Sequence, residues 1–400
     1  MLNFLTTITD YKTPLLGTLS LFFGGLILVS PLGTGLSEQY GFPADQIPPS
    51  IQLALRDIQS NPDDPPIVFN AADVLITQGR IAGNSEIVAV ADTILAAMSE
   101  TANNPRALKL RAVATQYLHD FDKALALLDQ SLAIDKLDPS AILTRANILL
   151  VQGKLSAAKA ACRSLVRAQR FDLFMLCDTS AKAIGPEATI SAQRLSDFVE
   201  LGRMDSALEG YAYSVLGEIA MFQGDNIEAQ RLLEKAQMLD TTNLRIRMIH
   251  ADSLLNLGRP EDAIEVLNVP ANTDSLLVRR ALAYKRAGKK RTLARASKEM
   301  ELLIQGNLNA GHTAHAREEA LYFLEVSNDY PEALKRANIN WQLQREFEDA
   351  RLLLDSAKAA NALSEAEKVR TWMRDENVTA PELVSRLEAL GLGLESTNKR

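Results

Sequence analysis

Two cysteines, Cys162 and Cys177, and a histidine pair, His312 and His315, are the side chains of this 400-residue chain best suited to chemistry. Neither cysteine belongs to a C-x-x-C, and no second ligand pair accompanies them, as a redox dithiol or a structural zinc would require. Two readings remain. In an exported chain they pair as a disulfide, and a closed loop of about 15 residues contributes on the order of 3 kcal/mol. In a reducing compartment they are two small buried apolar residues. His312 and His315 would share one face of a helix, with Glu318 or Glu319 offering an oxygen one turn later. The run from Gly306 to Gly311 reads as a loop entering that helix, so a solvated first turn accounts for both histidines. His119 and His250 are isolated. The chain carries no nucleophile elbow, P-loop, dinucleotide-binding glycine fingerprint or H-E-x-x-H. The expectation is therefore a non-enzymatic protein with no catalytic residues, no metal, no cofactor and no small-molecule substrate.

Charge narrows the partners. Lys and Arg number 43 against 50 Asp and Glu, a net charge of −7, with both signs interspersed. A nucleic-acid binder would show a basic face, so protein partners are expected. The one local concentration is basic: Arg279-Arg280, Lys285-Arg286, Lys289-Lys290-Arg291 and Arg295. It reads as a solvated helix-turn-helix surface, or as a surface for an acidic partner or anionic lipid.

The elements that must position these residues are helices in pairs. Ala124 in Phe121-Asp122-Lys123-Ala124 and Ala158 in Leu155-Ser156-Ala157-Ala158 are separated by the same interval as Ala229 and Ala263. Each follows a first helix with its own small residue: Ala112, Ala146, Gly217 and Ala251. Small side chains there let paired helices approach closely, and Gly153, Gly224 and Gly258 permit the turn between them. Around Trp341 the same design recurs, with a helix over Leu334–Gln344, a polar turn, and a helix opening at Phe347 and Ala350. Trp341 reads as packing between neighbouring helices.

That interval, and the residues that mark it, resemble the tetratricopeptide repeat, a helix-turn-helix unit of about 34 residues. Leu216-Gly217 with Gly224, Ala229, Leu233 and Ala236 is the fullest match. The resemblance covers most of 67–362, with degenerate pairs over Phe171–Met204 and Asp274–Gln305. The stretches His315–Ala320, Asp329–Leu334 and Asn340–Glu346 resemble uncharacterised exported bacterial members of that group. The resemblance implies an all-α, right-handed superhelical solenoid of about eight helix pairs that binds proteins on its concave side, lined by first helices. By their spacing, Lys109, Tyr117, Asn147, Glu218, Phe222, Arg245 and Asp252 are the candidates for partner contact. The lysine–asparagine clamp that grips a terminal carboxylate is not carried over, because Lys109 faces Val113 where the asparagine would stand.

From Thr13 to Ser37 the chain carries no charged residue, and its densest apolar run is Leu15–Val29. This segment is expected to form one N-terminal hydrophobic helix, as a cleaved signal peptide or as a single membrane anchor, with the remainder outside the cytoplasm. The domain reading is then a leader over 1–37, a proline-rich spacer with one short helix over 38–66, the array over 67–362, and capping helices with a frayed tail over 363–400. The expected setting is the bacterial periplasm, and the expected role is a scaffold or assembly factor. The alternative is a metal- or redox-handling accessory protein using His312, His315 and the cysteines.

Overall fold

A computed structural model describes residues 48–82, 84–270, 273–310 and 313–394. The expected leader over 1–37, His312 and the frayed tail from Ser396 lie outside these residues. Among the described residues all regular structure is helical, and no helix is long and apolar enough to cross a membrane. The chain divides into two compact units, 48–141 and 142–394 as far as described.

The first unit begins with α1 (Pro49–Ser60), whose Ile51, Leu55 and Ile58 join the core of that unit. Two helix pairs follow: α2 (Pro65–Ala82) with α3 (Ser85–Ala97), and α4 (Pro105–Tyr117) with α5 (Phe121–Ile134). Each start is legible locally. Asn84, Asn104 and Asp120 cap α3, α4 and α5, their side-chain oxygens accepting backbone N–H groups that would otherwise lack partners. Ile51, Leu55, Phe69, Leu75, Val88, Leu95 and Leu110 form one core.

In the second unit α6 (Pro139–Val151) and α7 (Leu155–Cys162) lead through a short helix α8 (Ser164–Arg167) to α9 (Phe171–Lys182) and α10 (Ala188–Glu200). Then come α11 (Ser206–Phe222) with α12 (Asn226–Leu239), α13 (Leu244–Asn256) with α14 (Pro260–Val266), and α15 (Asp274–Arg286) with α16 (Lys290–Ala310). Gly217 explains the closeness of the α11–α12 pair: an added Cβ would stand 2.6 Å from Leu233 Cγ. The stretch from Phe171, degenerate in sequence, still forms a helix pair.

The C-terminal region departs from the expected phase. α17 (Ala316–Leu321) runs into a π-helical turn over Tyr322–Ser327 and pairs with α18 (Tyr330–Leu343); α19 (Phe347–Ala359) pairs with α20 (Leu363–Asp375), and α21 (Pro381–Glu388) ends the fold. The two helices around Trp341 thus belong to different pairs. The reason is visible at Asp329, which caps α18 by accepting from Glu332 N at 3.2 Å, as Asp225 caps α12 through Glu228 N at 3.1 Å. α18 is therefore a second helix, and its buried Ala333 is the counterpart of Ala229.

First helices pack in series, α9 on α11, then α13, α15, α17, α19 and α21, and α21 also packs on α11. An open solenoid is expected from repeat spacing alone, but this unit returns on itself. Arg345 N donates to Val151 O at 2.7 Å, Trp372 Nε1 to Gly153 O at 2.9 Å, and Thr379 N and Ala380 N to Ile184 O at 2.8 and 3.1 Å. The Glu376 carboxylate accepts from Ser156 N at 3.0 Å. Phe222 and Phe347 stack with ring centroids 4.1 Å apart.

Candidate functional site

The face formed by successive first helices of the second unit carries a ladder of ion pairs. Glu218 on α11 accepts from Arg245 on α13 at 2.6 Å, and one helix pair further on Asp252 of α13 pairs with Arg279 of α15 at 2.9 Å. Asp274 on α15 binds His315, which stands just before α17, and Ser275 Oγ donates to Glu318 at 2.7 Å. Arg317 on α17 then reaches Glu346 at 2.8 Å and Asp349 at 2.6 Å, at the start of α19. Each rung ties one first helix to the next.

The electrostatics follow from crowding charged groups on a partly buried face. Burial pushes the Asp252 carboxyl up despite Arg279. Burial is the largest influence on Asp274 and works to raise it, but the hydrogen bond and charge of His315 together with backbone N–H donors outweigh it and hold that carboxyl down. The same bond raises the imidazole to about 9. Around Arg317 burial opposes ionisation of both carboxyls; the guanidinium holds Glu346 down to about 2, while Asp349, beside that second negative charge, is pushed up. Arg336 and Glu319, 2.9 Å apart, form the most deeply buried pair among the described residues of the second unit, with side chains 6% and 1% exposed. Asn307 Nδ2 donates to Glu319 at 3.0 Å.

The candidates read from spacing take two kinds of place. Glu218, Arg245 and Asp252 lie on the ladder and remain partly accessible. Lys109, in the first unit, is bonded in the same manner to Asp138 at 3.2 Å, and Tyr117 packs against the core of that unit. Asn147 is 1% exposed and Phe222 8%. Phe222 is covered because the C-terminal helices return over it, which helix spacing does not disclose. Arg279, Arg317 and His315 are ladder residues that spacing within a first helix does not single out. A signal for Arg279 does exist in the sequence: a carboxylate 27 residues before an arginine, Glu218 to Arg245, repeated as Asp252 to Arg279.

The remaining chemistry-bearing groups have local duties. Cys162 at the end of α7 and Cys177 in α9 form a disulfide, with Cα atoms 5.6 Å apart. Both sulfurs are engaged in that bond and buried, so neither thiol is free to hold a metal. Among the described residues no group of three His, Cys, Asp or Glu side chains could hold a metal ion. His250 is buried, with Nδ1 2.7 Å from Gln237, and burial lowers its pKa.

Comparison with known proteins agrees with the helix pairs at one place. Residues 210–235, covering most of α11 and most of α12, match the tetratricopeptide repeat family model. No curated protein matches the chain. Among solved structures it is similar to a tetratricopeptide repeat protein from Parabacteroides merdae at 12% identity, over 72% of this chain and 97% of that one, with a TM-score of 0.37. It is similar to the APC/C hetero-tetramer Cut9–Hcn1 at 11% identity, over 90% and 88%, with a TM-score of 0.40. Yeast Tom70 matches at 11% identity, over 81% and 92%, with a TM-score of 0.28. At such scores these likenesses carry no weight, and the class of protein rests on the chain itself: an all-α array of helix pairs containing one recognisable tetratricopeptide repeat.

Proposed function

We propose that this chain is a non-enzymatic scaffold or assembly factor that holds protein partners on the face of its first helices, in the bacterial envelope. The observation that carries the binding reading is the ladder from Glu218 to Arg279: paired, partly accessible charges repeated at the helix-pair period on one face. Such a face offers a partner several ordered charges at fixed spacing, and charge patterns of this kind select partners more than they add raw affinity. The covered Asn147 and Phe222 act here as structural residues, so the candidate contacts reduce to Glu218, Arg245 and Asp252, with Lys109 and Tyr117 in the first unit. The uncharged run Thr13–Ser37 and the Cys162–Cys177 bridge support an exported chain, since disulfides persist in oxidising compartments.

The test exchanges the rung while keeping it paired. A photo-crosslinking side chain at position 249, between Arg245 and Asp252 on the same face of α13, is used in cells with the otherwise natural chain and with Glu218→Arg/Arg245→Glu. The exchange keeps an ion pair between α11 and α13, so thermal stability stays within a few degrees. A discrete partner captured by the first chain and lost from the second is expected. Capture of chaperones alone, or of the same partner by both, overturns the reading.

A further inference from the structure

The basic run separates into two parts in the structure. Arg279 is bonded to Asp252, and Arg280 to the carbonyls of Leu267 and Val269. Lys285 donates to the carbonyls of Glu325 and Val326 at the end of the π-helical turn, and Arg286 to that of Leu255. These four cations hold the fold together. Lys289, Lys290, Arg291, Arg295 and Lys298 do not: all five are exposed, and among the described residues none of their side chains has a hydrogen bond or ion pair.

Helix geometry puts the rest of the pattern in place. Arg291, Arg295, Lys298 and Leu302 follow at intervals of four, three and four, so they form one outward stripe. Opposite it, Ala296, Met300 and Ile304 enter the core. α16 is 21 residues long, where α13 and α15 have 13 each. Its far end carries three leucines outward or on the flanks: Leu302 at 66% exposure, Leu303 at 41% and Leu308 at 46%. Glu299 and Glu301, the latter accepting from Tyr322 OH at 3.0 Å, flank the stripe, and five cations against these two carboxylates leave this stretch net positive.

We propose that α16 is a docking surface for an anionic lipid bilayer, with Arg291, Arg295 and Lys298 at headgroup depth and Leu302 entering the acyl boundary. Charge complementarity selects an anionic occupant, and Leu302, protruding from within the cationic stripe, favours an occupant with an apolar layer behind its anionic groups, as in a bilayer. A bilayer surface needs only cations and protruding apolar groups on one helix, which this stripe supplies. The proposal is independent of the ladder and of what binds there.

The disulfide takes both cysteines of the chain, so Gln305→Cys provides a single thiol for an environment-sensitive fluorophore on the same stripe. The labelled full-length chain is titrated with phosphatidylglycerol vesicles, phosphatidylcholine vesicles and poly-glutamate. A blue shift with phosphatidylglycerol, at least about tenfold tighter than with phosphatidylcholine and weakened by salt, is expected. Arg291→Gln/Arg295→Gln/Lys298→Gln should abolish it, and Leu302→Ser should reduce its amplitude. The probe reports position 305, so insertion of another segment of the chain does not mimic the signal. Equal response to both lipids, no shift, or persistence in the triple variant overturns the proposal. A shift with poly-glutamate and none with phosphatidylglycerol overturns it in favour of an acidic protein partner.

Discussion

His315 and Asp274 show how a side chain that invites a metal or catalytic reading is used structurally. The imidazole is raised to about 9 by its bond to Asp274, with Glu318 and Glu319 adding negative charge on its own helix. A raised base stabilises the fold fully below its unfolded value of about 6.5, and that contribution fades as pH rises through about 9. Asp274, held below its usual value, contributes at neutral pH and is lost only on acidification. The His315 side chain is 36% exposed, so screening leaves about 1 kcal/mol of the pairing. Thermal melts should therefore lose about 2–4 °C between about pH 6.5 and 9. His315→Gln should flatten that dependence; the same decline in the variant would place its origin elsewhere. At this scale the sequence discloses which residues are polar on the first helices but not their partners. A partner 27 or 41 residues away depends on how neighbouring helices are rotated. The same spacing is compatible with Glu218 and Arg245 standing unpaired on the surface.

At the scale of elements, turns are more discriminating than helices. Gly153 has φ +71°, and a Cβ there would lie 2.6 Å from Arg345 Cβ and 2.7 Å from Trp372 Nε1. Gly258, with φ +70°, has nothing within 4 Å. Gly153→Ala should cost about 2–4 kcal/mol, from backbone strain plus displaced neighbours, and Gly258→Ala about 1 kcal/mol from strain alone. Urea unfolding of the two variants measures the difference, and equal losses would mean the return contact at Gly153 is slack. The disulfide joins α7 to α9 and, closing a loop of about 15 residues, should contribute about 3 kcal/mol in the chain-entropy model. Reductant should lower stability by that amount, and should leave Cys162→Ser/Cys177→Ser unaffected. Pairs with glycine turns, such as those at Gly153, Gly224 and Gly258, are legible in the sequence. Where the left-handed turn position is held by His119, Asn328 or Asn361, the punctuation is lost although the geometry persists. That loss hides the true phase around Trp341: Asn328, not the polar turn after Leu343, divides a pair.

For the second unit taken whole, the decisive contacts join residues far apart in sequence. Helix-pair arrays are ordinarily stabilised by neighbours, each repeat touching only the next. Here Phe347 on Phe222, Trp372 on Gly153 and Thr379 at Ile184 tie the end of the unit to its beginning. Phe347→Ala should therefore reduce amide-exchange protection in α9–α11 and in α19–α21 together, while α13–α16 change less. Loss confined to α19 would show that the ends are not coupled. None of this is readable from periodicity, since a regular spacing specifies how one pair follows another and not where a succession of pairs meets itself. The return also bears on descent. In an open array a pair can be duplicated or deleted and the remainder still stacks. In this unit, gaining or losing one pair between Ser206 and Arg286 would carry Phe347 and Trp372 away from their partners, so the number of pairs is itself under constraint.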